Sequence, residues 1–147
     1  MMATFPSFPT PKIIEYLRQF KSANENIYLV GGAVRDLLLQ RPIHDMDFVF
    51  TGDVRSLARK LANHVNGAFY MLDDQRCTAR VIYSPEDSPP IVFDFAALRG
   101  NNLESDLRAR DFSINAMALD LEILDQLIDP LGGARDLNNK VLRMCSD

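Results

Sequence analysis

Cysteine and histidine are scarce in this chain, and neither is arranged for chemistry. Of its 147 residues only Cys77 and Cys145 are thiols and only His44 and His64 are imidazoles. The two cysteines lie far apart with no Cys-x-x-Cys spacing, so a zinc site or a disulfide framework is not expected and a reducing compartment fits. An excess of positive charge is also lacking: 16 Lys and Arg stand against 20 Asp and Glu, for a net charge of −4. Any contact with RNA must then come from a local patch or from another part of a larger protein. No apolar run approaches the roughly 20 residues that span a bilayer, and the Pro-rich start MMATFPSFPTPK has no basic n-region or apolar h-region. No membrane role is expected. A cytoplasmic location is, with an organellar address left open.

What is present is the length and composition of one globular domain, 47% hydrophobic and 24% charged. Twelve of the 16 basic residues are Arg, which leans toward bidentate carboxylate or phosphate contacts. Thr10-Pro11 reads as an N-cap followed by proline at the first helical position, and Ile13, Ile14, Leu17 and Phe20 recur at helical spacing. IYLV (27–30) is a short strand, and the Gly-Gly turn after it opens a helix from about Ala33 to Gln40 that Pro42 stops. DFVF (47–50) is a second strand. The next helix carries the stripe Val54, Leu57, Ala58, Leu61, Ala62 and Val65, and Asn66-Gly67 caps its end. AFYML, CTARVIYS and IVFDFAAL read as strands, with SPEDSPP as a loop. A helix is expected from about Glu104 to Ala118, and then a tail, LIDPLGGARDLNNKVLR, made of a strand end, a short turn or helix and a final extended piece.

The chemistry concentrates in YLVGGAVRDLLLQRPIHDMDFVF (28–50). Side chains alternate across a strand, so Asp45 and Asp47 share one face while Met46 takes the other. Carboxylates that close repel unless a positive charge sits between them, and a hard cation such as Mg²⁺, which takes one or two carboxylates plus phosphate oxygens, is the simplest candidate. Taken alone, the pair reads as an N-cap or a solvated strand end. Two further features favour the cation. In IVFDFAALR, Val92, Asp94 and Ala96 share one face and Ile91, Phe93 and Phe95 the other, so the strand is expected to be buried on both sides and Asp94 to need a partner. That partner is either a metal, with Asp94 as a third carboxylate, or an arginine such as Arg80 or Arg99. The second feature is Gly31-Gly32, where bare backbone amides at a helix start can approach phosphate and Arg35, one turn on, can reach phosphate oxygens. The Asp-x-Asp pair begins only 13 residues after Gly32. Together they describe phosphoryl-type chemistry, in which two metal ions about 3.5–4 Å apart activate a hydroxyl and stabilise leaving pyrophosphate. The near-repeat GGARD (132–136) has no strand before it and reads as a turn in the tail.

In LESDLRARDFSINAMALD, Glu104, Arg108, Asp111 and Asn115 recur at spacings of four, three and four, on one polar face of the expected helix. Leu103, Leu107, Ile114 and Met117 form its packed stripe, and Arg110 sits on that stripe, either in a buried ion pair or, with Asp111, facing a ligand.

These blocks resemble the class II tRNA nucleotidyltransferases (CCA-adding enzymes) and bacterial poly(A) polymerases, within the polymerase-beta-like nucleotidyltransferases. The 28–50 stretch matches the family's GGxVRD…DxDF motif, RDFSINAMALD matches RRDFTINAMA, and LIDPLGGARDLNNKVLR matches the stretch closing the catalytic head domain. The resemblance runs from about residue 27. It implies an α/β (α+β) fold, a mixed sheet flanked by helices, with residues 1–26 as an N-terminal extension and first helix and 27–147 as the head. It implies that Gly31, Gly32 and Arg35 bind nucleotide, that Asp45 and Asp47 hold Mg²⁺ and are catalytic, and that Arg110 and Asp111, with Asn115, contact the incoming CTP or ATP. Asp94 falls where the family carries an acidic residue on a central strand. The partner it implies is an RNA 3′ end, that of tRNA.

Three departures from the family pattern stand out. Ala109 replaces the first Arg of RRD, removing one guanidinium. Only GNNLE separates Arg99 from Ser105, where many members carry a long flexible loop; a short one resembles C-adding enzymes. The neck, body and tail domains that read the base and grip tRNA in the family are expected to be absent here. The leading expectation is a Mg²⁺-dependent head transferring CMP or AMP to an RNA 3′ end with release of pyrophosphate. The alternatives are a non-catalytic nucleotide- or RNA-binding module, a poly(A) polymerase head, or a small-molecule nucleotidyltransferase, the last disfavoured by RDFSINAMA.

Overall fold

A computed structural model describes residues 11–146. Thr10, expected as the first helix cap, lies outside them. The chain runs α1 (Pro11–Phe20), β1 (Ile27–Val30), α2 (Gly32–Leu38), β2 (Asp45–Phe50), α3 (Val54–Val65), β3 (Ala68–Asp73), β4 (Thr78–Tyr83), β5 (Ile91–Ala97) and α4 (Leu103–Arg108). A 3₁₀ turn (Ser113–Asn115), β6 (Ala118–Asp120), β7 (Leu127–Ile128) and α5 (Gly133–Asn138) complete it. One seven-stranded sheet has the order β3-β4-β5-β2-β1-β6-β7. Among the described residues only β2 and β5 pair in parallel. The mixed sheet flanked by helices is thus as expected.

The two faces of the sheet are built differently. Leu29 of β1, Met46, Phe48 and Phe50 of β2, Val81 of β4, and Phe93 and Phe95 of β5 point to one face. There the apolar stripes of α1 (Ile13, Ile14, Leu17), α2 (Val34, Leu37) and α3 (Leu57, Leu61) cover them, forming the main core. The Phe48 and Phe95 rings stack at 5.2 Å between centroids at its centre. α3 starts on Asp53, whose carboxylate accepts from the Ser56 amide at 3.1 Å, and stops at Asn66 in the left-handed conformation.

The opposite face is covered only in part. Val30, Val49, Leu107, Ala116 and Ala118 make a second, smaller core beneath α4 and the segment after it. Toward β4 and β3 the face lies open. Val92, Asp94 and Ala96 are therefore half-buried, not enclosed, which corrects the expectation of a strand buried on both sides.

The expected helix from Glu104 to Ala118 is also corrected. α4 ends at Arg108, the 3₁₀ turn follows, and residues from Ala118 form a strand paired with β1. Non-local contacts outweigh helical propensity here. The Ser113 amide donates to Arg143 O at 2.9 Å, Phe112 bridges Met144, and the Ser113 hydroxyl donates to buried Asp136 at 2.6 Å. Asp, Ser and Asn are the residues whose side chains draw a backbone out of helix most readily. Glu104 and Arg108 do pair across one turn of α4, at 3.0 Å, but Asp111 and Asn115 do not share that helix.

Candidate active site

A single lateral row of the sheet organises the open face. Register pairs Val30 with Asp47, Asp47 with Asp94, Asp94 with Arg80, and Arg80 with Tyr70. Paired residues point to the same side, so Asp47, Asp94, Arg80 and Tyr70 stand side by side across four strands. Asp45, two residues before Asp47, joins them on this face, and both aspartates are exposed while Met46 between them is buried.

The three carboxylates are not equivalent. Arg80 grips Asp94 with both arms of its guanidinium, Nε to Oδ1 at 2.8 Å and Nη2 to Oδ2 at 3.0 Å. The arginine partner left open by the sequence is therefore present. Among the described residues Asp47 has no such partner. Desolvation of its carboxyl in the lee of the sheet pushes its pKa up, Asp94 and then Asp45 push it further, and Arg110 and Arg80 pull it back. Such a site is short of positive charge, the condition a hard divalent cation with oxygen ligands would meet, and Asp45 and Asp47 are the donors free to hold one. Among the described residues no three His, Cys, Asp or Glu side chains stand close enough together to form a ready-made cage.

Gly31 joins the carboxylates to the arginines. It holds φ +73°, a conformation side chains resist, and a Cβ built on it would lie 3.5 Å from Arg110 Nη1 and 3.8 Å from Asp47 Oδ2. The turn thus passes beside both Arg110 and Asp47, and a side chain at Gly31 would stand against each of them. The Gly31 amide donates to Met117 O at 3.3 Å, so the amides left to face a phosphate are those of Gly32 and Ala33, at the opening of α2. The Arg35 guanidinium folds back over Gly32, within 3.2 Å of where a Cβ would stand, and Nη1 donates to Asn115 Oδ1 at 2.8 Å. Arg35 and Asn115, separated by 80 residues in sequence, are brought together by the 3₁₀ turn.

The second Gly-Gly shows why context matters. Gly132 caps α5, but the Asp129 carboxylate already accepts from the Gly133 amide at 2.6 Å and the Ala134 amide at 3.0 Å. That helix start is closed by its own chain. Gly133 is small because a Cβ would strike Ser113 O. In contrast, α2 has no side-chain cap.

Arg110 has a partner the sequence reading did not name. Asp106, one turn earlier and 2% exposed at its side chain, accepts from Arg110 Nη2 at 3.1 Å and from the Arg99 amide at 2.8 Å. The i, i+4 spacing was the available signal. Its neighbour Asp111, read as the companion of Arg110, turns aside: its carboxylate accepts from the Phe112 amide at 2.8 Å and its carbonyl from the Cys145 amide. Asp111 is exposed and, among the described residues, no hydrogen bond or ion pair links it to Arg110 or Asp47. Arg110 Nε is buried with no hydrogen-bond partner among the described residues. Such a donor is costly to leave unmade.

The Poly A polymerase head domain family matches residues 27–143. A CC-adding tRNA nucleotidyltransferase of Geobacter sulfurreducens is 41% identical over 145 residues, covering 99% of this chain and 32% of that protein. An A-adding tRNA nucleotidyltransferase of Deinococcus radiodurans is 44% identical over 119 residues, 81% of this chain and 25% of that one. Among solved structures, a tRNA-processing enzyme in an apo form aligns with a TM-score of 0.84 at 33% identity, over 99% of this chain and 39% of the other. A tRNA nucleotidyltransferase complexed with a primer tRNA and an incoming ATP analogue aligns with a TM-score of 0.75 at 33% identity, over 91% of this chain and 39% of the other. The chain therefore spans about a third or less of the length of these curated relatives. The fold is the polymerase-beta-like nucleotidyltransferase fold.

Proposed function

The chain belongs to the poly(A) polymerase head-domain family, and from that premise we propose that it is the catalytic head of a Mg²⁺-dependent nucleotidyltransferase acting on an RNA 3′ end, most simply that of tRNA. The observation that carries this is the open carboxylate row beside an uncapped Gly-Gly turn, with Asp47 and Arg110 both beside Gly31 and Arg35 over Gly32.

In the proposed reaction an RNA 3′-hydroxyl gives up its proton to solvent water and its oxygen forms a bond to the α-phosphorus of CTP or ATP. The bond from that phosphorus to the bridging oxygen breaks, and pyrophosphate leaves. Arg35, held by Asn115, and Arg110, held by Asp106, would bind the triphosphate beside the Gly32 and Ala33 amides. Arg80 holds the Asp94 carboxylate in place next to Asp47. Mg²⁺ held by Asp45 and Asp47 would activate the attacking hydroxyl and offset charge on the leaving group. Within this reading residues 27–147 are the head, and residues 1–26 an N-terminal extension with the first helix. Asp111 acts through the fold of the turn after α4, by way of its contacts to Phe112 and Cys145.

The test is incorporation of labelled CMP or AMP into a tRNA transcript lacking its CCA end. Asp45→Ala with Asp47→Ala should reduce it to background; an unchanged rate would remove both aspartates from the mechanism.

A second reading, a non-catalytic nucleotide- or RNA-binding module, is favoured by Ala109, which stands exposed at the end of α4 where the motif has an arginine. Calorimetry of CTP and ATP with Mg²⁺ beside the extension assay separates the two, since binding without extension supports the module.

A further inference from the structure

The open face of the sheet continues past the carboxylates, away from Gly31. Ala96 lies two residues beyond Asp94 on the same face, about 7 Å along the strand, and pairs with Thr78. There the face runs into a groove of about 500 Å³ between the β3–β4 turn and the end of β5, lined by Arg76, Cys77, Thr78, Ala96, Leu98 and Arg99 among others. Beside it, on the edge strand β3, Tyr70 and Leu72 stand on the open face with 52% and 48% of their surface exposed. Tyr70 is the register partner of Arg80 and so the last member of the carboxylate row.

We propose that this groove is the track for the last single-stranded nucleotides of the acceptor RNA, a proposal that rests on the nucleotidyl-transfer reading above. Three observations support it. The first is position: an in-line displacement needs the attacking oxygen opposite the leaving one, and the groove lies across the carboxylate row from the Gly31–Arg35 turn. The second is charge. The chain as a whole carries −4, yet the rim of this groove presents the exposed guanidiniums of Arg76 and Arg99. The nearest acidic groups on the turn are Asp73 and Asp74; Asp73 sits 3.9 Å from Arg76, and its Oδ1 accepts from the turn's own amides at Gln75 and Arg76. The third is the exposed Tyr70 ring. Single-stranded RNA is recognised by guanidiniums along its backbone and aromatic faces against its bases, and this is the pairing of groups the face offers.

Cys77 lines the groove and is exposed, so it reports occupancy directly. The probe is a single-stranded RNA oligonucleotide ending in a free 3′-hydroxyl, and the readout is the alkylation rate of Cys77 followed by mass spectrometry, with Cys145 as the internal reference. Saturating RNA should slow Cys77 alkylation at least tenfold, and CTP with Mg²⁺ alone should leave it unchanged. Arg76→Ala with Arg99→Ala should weaken RNA binding at least tenfold and CTP binding less than twofold. It should also make the dependence of log affinity on log salt shallower by about 1.4, the value for two lost phosphate contacts on a single strand. Failure of the RNA to bind, unaltered Cys77 alkylation with RNA bound, or an unchanged salt slope would each overturn the proposal. The two readings fail separately. CTP binding and RNA extension with Cys77 unprotected would sink the groove alone. Cys77 protection without binding of CTP and Mg²⁺ would sink nucleotidyl transfer and leave the groove as an RNA site.

Discussion

Asp47 and Asp94 face each other in register on the two parallel strands at the middle of the sheet, and only Asp94 has an arginine of its own. The unmatched charge on Asp47 is the centre of the site, and it can be measured. Because its folded pKa is raised, the native state binds more protons than the unfolded chain in the window just above the ordinary carboxylate value. Metal-free stability should therefore fall as pH rises through that window. Asp47→Asn should raise the melting temperature of the metal-free protein at neutral pH, and should shrink the further rise that Mg²⁺ with CTP gives the native chain. Thermal melts with and without Mg²⁺ and CTP check both parts.

Arg110 depends on a buried partner. Asp106→Ala would leave a mostly buried guanidinium unpaired and the Arg99 amide without its acceptor, at a cost of about 3 kcal/mol. Replacing both, Asp106→Leu with Arg110→Met, should recover much of that stability in urea unfolding. It should not recover nucleotide binding, because the guanidinium over Gly31 is then gone.

Gly31→Ala places a side chain at φ +73° against Arg110 and Asp47. With ψ at −141° this lies outside the left-handed helical region, and the backbone strain is about 1–3 kcal/mol; a folded protein is expected, with far-UV circular dichroism like that of the native chain. CTP affinity should drop at least tenfold as the strained turn shifts the Gly32 and Ala33 amides.

Acid sensitivity should come from the opposite end of the chain. The Asp136 carboxylate is held below the ordinary range first by its hydrogen bond from Arg143 and then by the Ser113 hydroxyl. With a depressed folded pKa, its contribution is present above the ordinary carboxylate value and is lost as pH falls through the lowered one. Asp136→Asn should lower the melting temperature near neutrality and flatten the loss of stability on acidification, followed by melts across the acidic range.

Much of this was legible in the sequence because it was local. Alternation in DMDFVF fixed which face Asp45 and Asp47 share, and Ile13, Ile14 and Leu17 marked the buried side of α1. The failures lie where distant contacts decide. Residues 109–118 leave the helix because Arg143, Met144 and Asp136, all from the chain's last stretch, hold Phe112 and Ser113. No periodicity in RDFSINAMALD could show that, nor that Arg110 would turn back to Asp106 and not toward its neighbour Asp111. Asp94 looked enclosed because its strand is apolar on both sides; that no helix covers the face toward β3 is a property of the topology.

The most direct measurement is Mn²⁺ binding by electron paramagnetic resonance in the presence of CTP, on the native chain and on Asp45→Ala with Asp47→Ala. The native chain should lower free Mn²⁺ below the level set by the same concentration of CTP alone, and the double variant, still folded, should leave that level unchanged. Equal Mn²⁺ binding by the two proteins would contradict the assignment of Asp45 and Asp47 as metal ligands.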